Sequence, residues 1–296
     1  GELFADPGLD DKPIVGAGLG ALTIDADLAT LVADHLGAFH ISGFAIHGHG
    51  LSERLMDVYG VSNNVAPPGL RMFEAYYEQP VGHFAVRTGL LAADQELVLA
   101  EHSTVLINAT FGILAMVSDN IMQPVYPIAS PGVSARYETD DLTVHAAVYD
   151  GSPEQTHGIP TGISSDALLM GEVGVLGTFK VGAWHHTTLG NGYYAIADHQ
   201  LERYLGAFAR ISDAPDSKLS LYADTGIRIG PGPLRPKDFA SIGLAFARSE
   251  HGAQTVVEAT YQYLVTGWLT VQPDAQLLLT REGTAAILAA RAVIAF

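Results

Sequence analysis

A chain of 296 residues with 32 acidic against 15 basic side chains, net −17, is unsuited to nucleic acid, whose phosphates attract lysine and arginine. It has no cysteine, which excludes disulfide scaffolds, thiolate metal sites and thiol nucleophiles together. Yet 48% of it is apolar and its mean hydropathy is +0.21, high for a water-soluble protein of that charge. Membrane-spanning helices do not account for this. The best stretch, His102 to Ser118, sits at the short end of a span and carries His, Ser, Thr and Asn. The chain opens Gly1-Glu-Leu with no apolar leader, so any signal peptide is expected to be gone already.

Period-two segments run along the chain after Gly1–Lys12. They are read at 14–28, 38–48, 69–79, 83–90, 133–140, 141–149, 167–176, 177–188, 192–201, 205–213, 217–229, 238–249, 254–266, 268–280 and 284–296. The segment at 38–48 loses phase near Gly43, which predicts a bulge. Toward the C-terminus the alternation is clearest. Leu269, Val271, Ala275, Leu277 and Leu279 share one face, with Thr270, Gln272, Asp274 and Gln276 on the other. Val257, Ala259, Tyr261 and Tyr263 likewise oppose Glu258, Thr260 and Gln262.

Many of these segments reach the ~9–11 residues that a tilted strand needs to cross a bilayer. Short turns join them, as at Ser212–Ser217, Thr266–Gly267 and Arg281–Thr284. Long alternating strands with tight turns predict an all-β fold, a transmembrane up-and-down antiparallel barrel spanning 1–296 as one domain. Strand length, hydropathy and the aromatics Trp184, Tyr193, Tyr194 and Trp268 near strand ends favour a membrane wall over a soluble sandwich. A single-chain bacterial barrel has an even number of strands, so sixteen are expected where fifteen are read. Either 104–113 hides one, or the chain begins after its first strand; the second is preferred.

Two connections are too long for turns, Gly50–Pro68 and Leu91–Gly132. Counting back from a periplasmic C-terminus puts both outside the cell. The second carries Val105, Leu106, Ile107, Phe111, Ile113, Leu114 and Met116, which an exposed loop should not show. It is therefore expected to fold into the barrel mouth over about 91–132.

Several stretches resemble the carbohydrate-selective porins of the OprB family. They include Arg71-Met-Phe-Glu-Ala-Tyr-Tyr-Glu-Gln79, Val86-Arg-Thr-Gly-Leu-Leu-Ala-Ala-Asp94 and Leu106-Ile-Asn-Ala-Thr-Phe-Gly112. Lys180-Val-Gly-Ala-Trp-His-His186, Gly192-Tyr-Tyr-Ala-Ile-Ala-Asp198 and Ala207-Phe-Ala-Arg-Ile211 continue the likeness. So do Tyr222-Ala-Asp-Thr-Gly226, Gly232-Pro-Leu-Arg-Pro-Lys-Asp238, Gln272-Pro-Asp-Ala-Gln276 and Ala289-Ala-Arg-Ala-Val-Ile-Ala-Phe296. The resemblance spans nearly the whole chain in order. It implies a sixteen-stranded barrel, bacterial outer-membrane location and passage of monosaccharides such as glucose into the periplasm. Family members carry another strand ahead of 14–28, which agrees with a first strand lying before this chain. Terminal Phe296 resembles the aromatic end by which outer-membrane barrels are recognised for assembly.

A pore selects by width and by the polar groups that line it. The inward phase is expected to carry Glu74, Glu78, Arg87, Arg136, Glu138, Asp198, Arg210, Asp224, Arg228, Glu258, Asp274 and Gln276. Acidic and basic groups alternate around this ring, which suits neutral polyhydroxy solutes better than ions. Most such charges in barrels simply brace and hydrate the wall. Arg87 and Glu74 stand out because their strands flank the long loop. The expected partners are small neutral sugars and outer-membrane lipid, with no nucleic acid, in a monomer or a trimer.

No catalytic or metal site and no cofactor is implied. His40, His47, His49 and His185-His186 lack a ligand spacing, and a wall or interfacial role is the commoner one for such histidines. Gly16-Ala-Gly-Leu-Gly20 is followed by no helical pattern, and no Gly-x-Ser-x-Gly frame surrounds a serine. The competing readings are an unselective diffusion pore or outer-membrane scaffold, a barrel lipase, and a soluble sandwich or adhesin. Channel activity without hydrolysis separates the lipase, solubility without detergent separates the sandwich, and a solute panel separates the unselective pore.

Overall fold

Alternation builds the wall strand by strand. The computed structural model describes all residues but 9–13, 56, 122, 154, 157, 161, 233–234 and 251, and all side chains but those and 53, 155 and 156. The strands are β1 (Glu2–Ala5), β2 (Ile14–Asp27), β3 (Ala38–Gly48), β4 (Gly69–Val81), β5 (Phe84–Leu91), β6 (Ser130–Glu138) and β7 (Leu142–Asp150). A small hairpin, β8 (Gln155–Thr156) and β9 (Ile159–Pro160), follows. The wall resumes with β10 (Ala167–Val175), β11 (Phe179–His186), β12 (Gly190–Glu202), β13 (Leu205–Asp213) and β14 (Leu219–Ile229). It ends with β15 (Phe239–Ser249), β16 (Gly252–Thr266), β17 (Leu269–Leu279) and β18 (Thr284–Ile294). Among the described residues, all strands but β8 and β9 join one closed antiparallel barrel of sixteen, each beside its chain neighbour and β1 beside β18.

The fifteen segments read from alternation are β2–β7 and β10–β18. The expectation of a sixteenth strand lying before the chain is overturned, for it is β1. Glu2 pairs with Ala17 on one side and Arg291 on the other, so four residues close the ring. Four residues show only two alternations, too few to stand out from a polar leader. The other candidate, 104–113, contains a single turn of 3-10 helix at Ala109–Phe111 and no strand. The phase loss near Gly43 is a register shift between Ile41 and Gly43 in the β3–β4 ladder.

The closing seam is locked from inside. Arg291 on β18 bonds Glu2, and Glu2 in turn accepts from Ser62 Oγ at 2.6 Å and Asn64 Nδ2 at 3.0 Å. Phe4, Ala17, Leu51, Val61 and Ile287 pack together beside it, so the connection 49–68 covers the joint.

The outward face is apolar along strand after strand. Leu22, Ile24, Val133, Val144, Val148, Val173, Val181, Ile211, Ile242 and Leu288 all stand exposed. The inward face is polar on one side of the barrel and apolar on the other. Leu168, Met170, Trp184, Tyr194, Phe208, Tyr222, Ala245, Val256 and Leu278 are buried from within, against Leu97, Leu106, Phe111, Leu114 and Met116 of the connection 92–129. This connection, the inner loop, includes helix α1 (Ala115–Ile121). Two apolar faces on the same strands account for the positive hydropathy.

Trp184 and Tyr194 were expected in an interfacial girdle. They instead lie inside the barrel, 2% and 4% exposed, under the inner loop. Tyr193 and Trp268 do face outward. Adjacent tyrosines in a strand must point to opposite sides, so Tyr193 and Tyr194 could never share a girdle.

Candidate functional site

The inner loop divides the lumen. One side is filled; the polar wall that stays partly accessible runs along β3–β6 and the termini-side ends of β7, β10 and β11. What holds the loop in place is a set of inward-facing polar residues, and seven of the twelve predicted pore-lining residues belong to it. Arg210 on β13 and Asp224 on β14 form a buried pair whose side chains are both 0% exposed. Arg210 also donates to Gly112 O at 2.8 Å and Thr110 O at 3.0 Å, so it clamps the loop backbone to the wall. Glu258 accepts from the Ile107 and Asn108 backbone N–H groups. Gln276 accepts from Asn108 Nδ2 at 3.0 Å and donates to Asp274 at 2.9 Å and Val61 O at 3.0 Å. Asp198 takes the Glu101 and His102 N–H groups and the His102 ring, and Arg228 pairs with Glu101 at 3.0 Å.

These seven were expected to line the pore. Five of them, Arg210, Asp224, Glu258, Asp274 and Gln276, are instead buried beneath the loop, 0–6% exposed, where they anchor it. Alternation reports which side a residue faces; it does not report what covers it. Two glycines let the loop sit this close. A Cβ at Gly206 would stand 1.7 Å from the His102 ring, and one at Gly243 would stand 2.7 Å from Leu106 and Phe111.

Of the remaining predicted residues, Glu78, Arg87, Arg136 and Glu138 stay partly accessible, while Glu74 is buried. Arg87 on β5 lies directly across from Glu78 on β4 in the ladder, and its Nε bonds that carboxylate. Its Nη1 donates to Glu96 of the inner loop at 2.8 Å. The guanidinium sits over the Tyr76 ring, 4.7 Å from the centroid. His40 stacks on Tyr76 at 4.8 Å and 18° between planes, and its Nδ1 meets Asp25 at 2.7 Å. Glu74 is buried, accepts from Ala92 N at 3.1 Å and lies 4.0 Å from His40 Nε2. Arg136 and Glu138 pair at 3.3 Å and are the most exposed of the set.

Tyr76, His40, Glu96, His145 and Glu172 complete the inner wall here and were not among the predicted pore-lining residues. Tyr76 shares the even phase of Glu74 and Glu78, so the sequence did carry its signal. Glu96 lies in a loop without period, and only the fold brings it to Arg87. Burial pushes the Glu96 carboxyl above its usual range, with Arg87 and Ser134 opposing. The result is a planar cation held between carboxylates on an aromatic ring. It presents a planar set of donors beside carboxylate acceptors and an aromatic face.

The sequence matches the family model described as carbohydrate-selective porin, OprB family, over residues 16–188 and 185–294. No curated protein matches it. Among solved structures it is similar to the high pH structure of Pseudomonas putida OprB, with a TM-score of 0.89 at 16% identity, covering 100% of this chain and 92% of that one. The low pH structure of the same protein gives a TM-score of 0.68 at 18% identity, covering 100% and 89%. A mutant of Rh. blastica porin gives 0.55 at 11% identity, covering 98% and 96%. At such identities the structural likeness concerns the fold.

Proposed function

This chain belongs to the OprB family of carbohydrate-selective porins, and from that premise we propose that single neutral monosaccharides cross it off-centre, between the inner loop and β3–β5. The observation that carries this reading is Arg87 lying on the Tyr76 ring with Glu78 and Glu96 bonded to its edges. A sugar ring can lie on the aromatic stack while vicinal hydroxyls exchange with the guanidinium and carboxylates. Contacts of that kind are individually weak, so a solute can leave as readily as it enters. Asp25, Glu74 and His40 extend the polar strip along β2–β4.

The outward apolar band is assigned to outer-membrane lipid, and the end holding both termini to the periplasm. That orientation puts the three longest connections, 49–68, 92–129 and 151–166, outside, and no connection on the termini side exceeds the ten residues of 28–37, the usual division in such barrels. A sugar would then meet the inner loop first and leave past the β10–β11 turn.

Swelling of liposomes that contain the protein tests the function directly. Hexoses and pentoses are expected to enter faster than disaccharides or amino acids of similar size, and equal rates for sugars and amino acids would leave an unselective pore. Topology is tested separately with single cysteines, since the chain has none. Cysteine at Thr143 or Glu138 should react with an aqueous thiol reagent in intact membranes, while cysteine at Val144 or Val181 should not. Cysteine at Glu258 should stay silent too, because the loop covers it. Labelling of Val144 and Val181 at the rate of Thr143 would count against the membrane wall.

A further inference from the structure

Two inward-facing cross-strand rows lie on the termini side of Arg87. One runs Arg136, His145, Glu172 across β6, β7 and β10. The next, a step nearer the short turns, runs Glu138, Thr143, Gly174, Lys180 and reaches β11. Gly174 contributes no side chain to that second row. The gap is a recess of ≈ 190 Å³, about six waters' worth of liquid volume, which Glu96 of the inner loop also lines.

Two polar atoms lining this recess are buried without a hydrogen-bond partner, Glu96 Oε2 and His145 Nε2. Their side chains are 5% and 4% exposed, and the two atoms stand 3.7 Å apart. That is too far for a direct hydrogen bond and a span that one hydroxyl oxygen bridges. Each atom is left one partner short, and a hydroxyl group is the kind of partner that completes both at once. The other Glu96 oxygen is already engaged, by Arg87 Nη1 at 2.8 Å and Ser134 Oγ at 3.0 Å. Around the recess Lys180 lies 3.6 Å from Glu172 and Arg136 pairs with Glu138, so the charges nearly cancel. A lining of this kind favours a neutral polyol over an ion.

We infer that the recess is a second, exit-side station for one monosaccharide. One hydroxyl donates to Glu96 Oε2 and accepts from His145 Nε2, and the ring edge lies over Gly174. The inference rests on Arg87 being the first station, and Glu96 belongs to both. A sugar passing from one oxygen of Glu96 to the other moves only a short distance between two shallow wells, the arrangement that lets a selective pore still conduct. The recess takes a single sugar ring, and a disaccharide would have to leave one ring in the lumen.

Gly174→Val tests this without disturbing Arg87. A Cβ there meets only ordinary contacts, Lys180 Cγ at 3.5 Å, Thr143 Cβ at 3.7 Å and Phe179 O at 3.8 Å, and valine suits a strand. His145→Phe removes the ring nitrogen and leaves Gly174 in place. Glucose is the probe, read as block of the ion current in planar bilayers, with sugar-free conductance as the check on barrel closure. Both variants are expected to weaken apparent glucose affinity by roughly three- to tenfold, the worth of about one or two hydrogen bonds. Arg87→Ala, measured alongside, separates this claim from the one beneath it. If Arg87→Ala weakens glucose block while Gly174→Val and His145→Phe leave it unchanged, the recess holds only water and the inference is overturned, with the first station intact. If Gly174→Val acts but His145→Phe does not, valine works by narrowing the pore and the inference is again overturned. If none of the three changes glucose block, both stations fall together.

Discussion

Asp224→Ala should release the inner loop and turn a quiet, selective channel into a larger, noisy one. The pair it breaks is wholly buried, and Asp224 also accepts from Tyr222 OH at 2.7 Å. Removing one partner of such a pair leaves an uncompensated charge in the interior, at a cost of about 3–5 kcal/mol. Arg210 can escape that cost by moving toward water, and its bonds to Thr110 O and Gly112 O then go with it. The wall itself has less to lose, because its ladders run independently of the loop. Single-channel conductance should therefore rise, current fluctuations should grow, and the ratio of hexose to disaccharide entry should fall. A double change, Arg210→Met with Asp224→Leu, should recover part of the lost stability, since no charge is then left unpaired. It should not recover all of it, because the Thr110 and Gly112 carbonyls lose their donor. A variant of unchanged conductance and noise would mean that Glu258, Gln276 and the apolar contacts hold the loop without help.

The barrel was legible in the sequence because a wall between lipid and water imposes period two, and nothing else in the chain competes with that period. The signal failed where its cause failed. β1 is too short to repeat, so the strand that closes the ring went unread. From β10 to β17 the inner loop makes the lumen side apolar as well. Trp184 and Tyr194 therefore looked like lipid-facing aromatics when they are core. The same loop hid the fate of Arg210, Asp224, Glu258, Asp274 and Gln276. Their inward phase was readable, but the lid over them is made of residues up to 168 positions away in sequence. Arg87 and Glu78 were the pair most open to sequence reasoning, because a two-residue turn at Gly82-His83 fixes their register. Glu96 was the least open, since no period places a loop carboxylate.

Arg87→Ala should weaken apparent sugar affinity by about tenfold or more and shift the pore toward cations. The guanidinium is 19% exposed on its side chain and bridges two carboxylates, so its hydrogen bonds are charge-assisted and partly shielded from water. Such bonds contribute about 1.5–3 kcal/mol each, and losing one of them at the sugar accounts for a tenfold change. Glu78 and Glu96 would then face the lumen without their common partner, and the cation preference follows from that. Charge and grip are separable by Arg87→Lys. Lysine keeps the positive charge but brings a point donor in place of a planar fork, and it stacks less well on Tyr76. If Arg87 grips sugar through its shape, the lysine variant should keep most of the ion preference of the parent and still bind sugar poorly. If it serves only as a wall charge, the lysine variant should match the parent in both, and the alanine variant should alter ion preference alone. In that outcome the first station must lie elsewhere on the open wall, toward His40, Asp25 and Glu74. It cannot lie at Arg210 and Asp224, which the inner loop closes off.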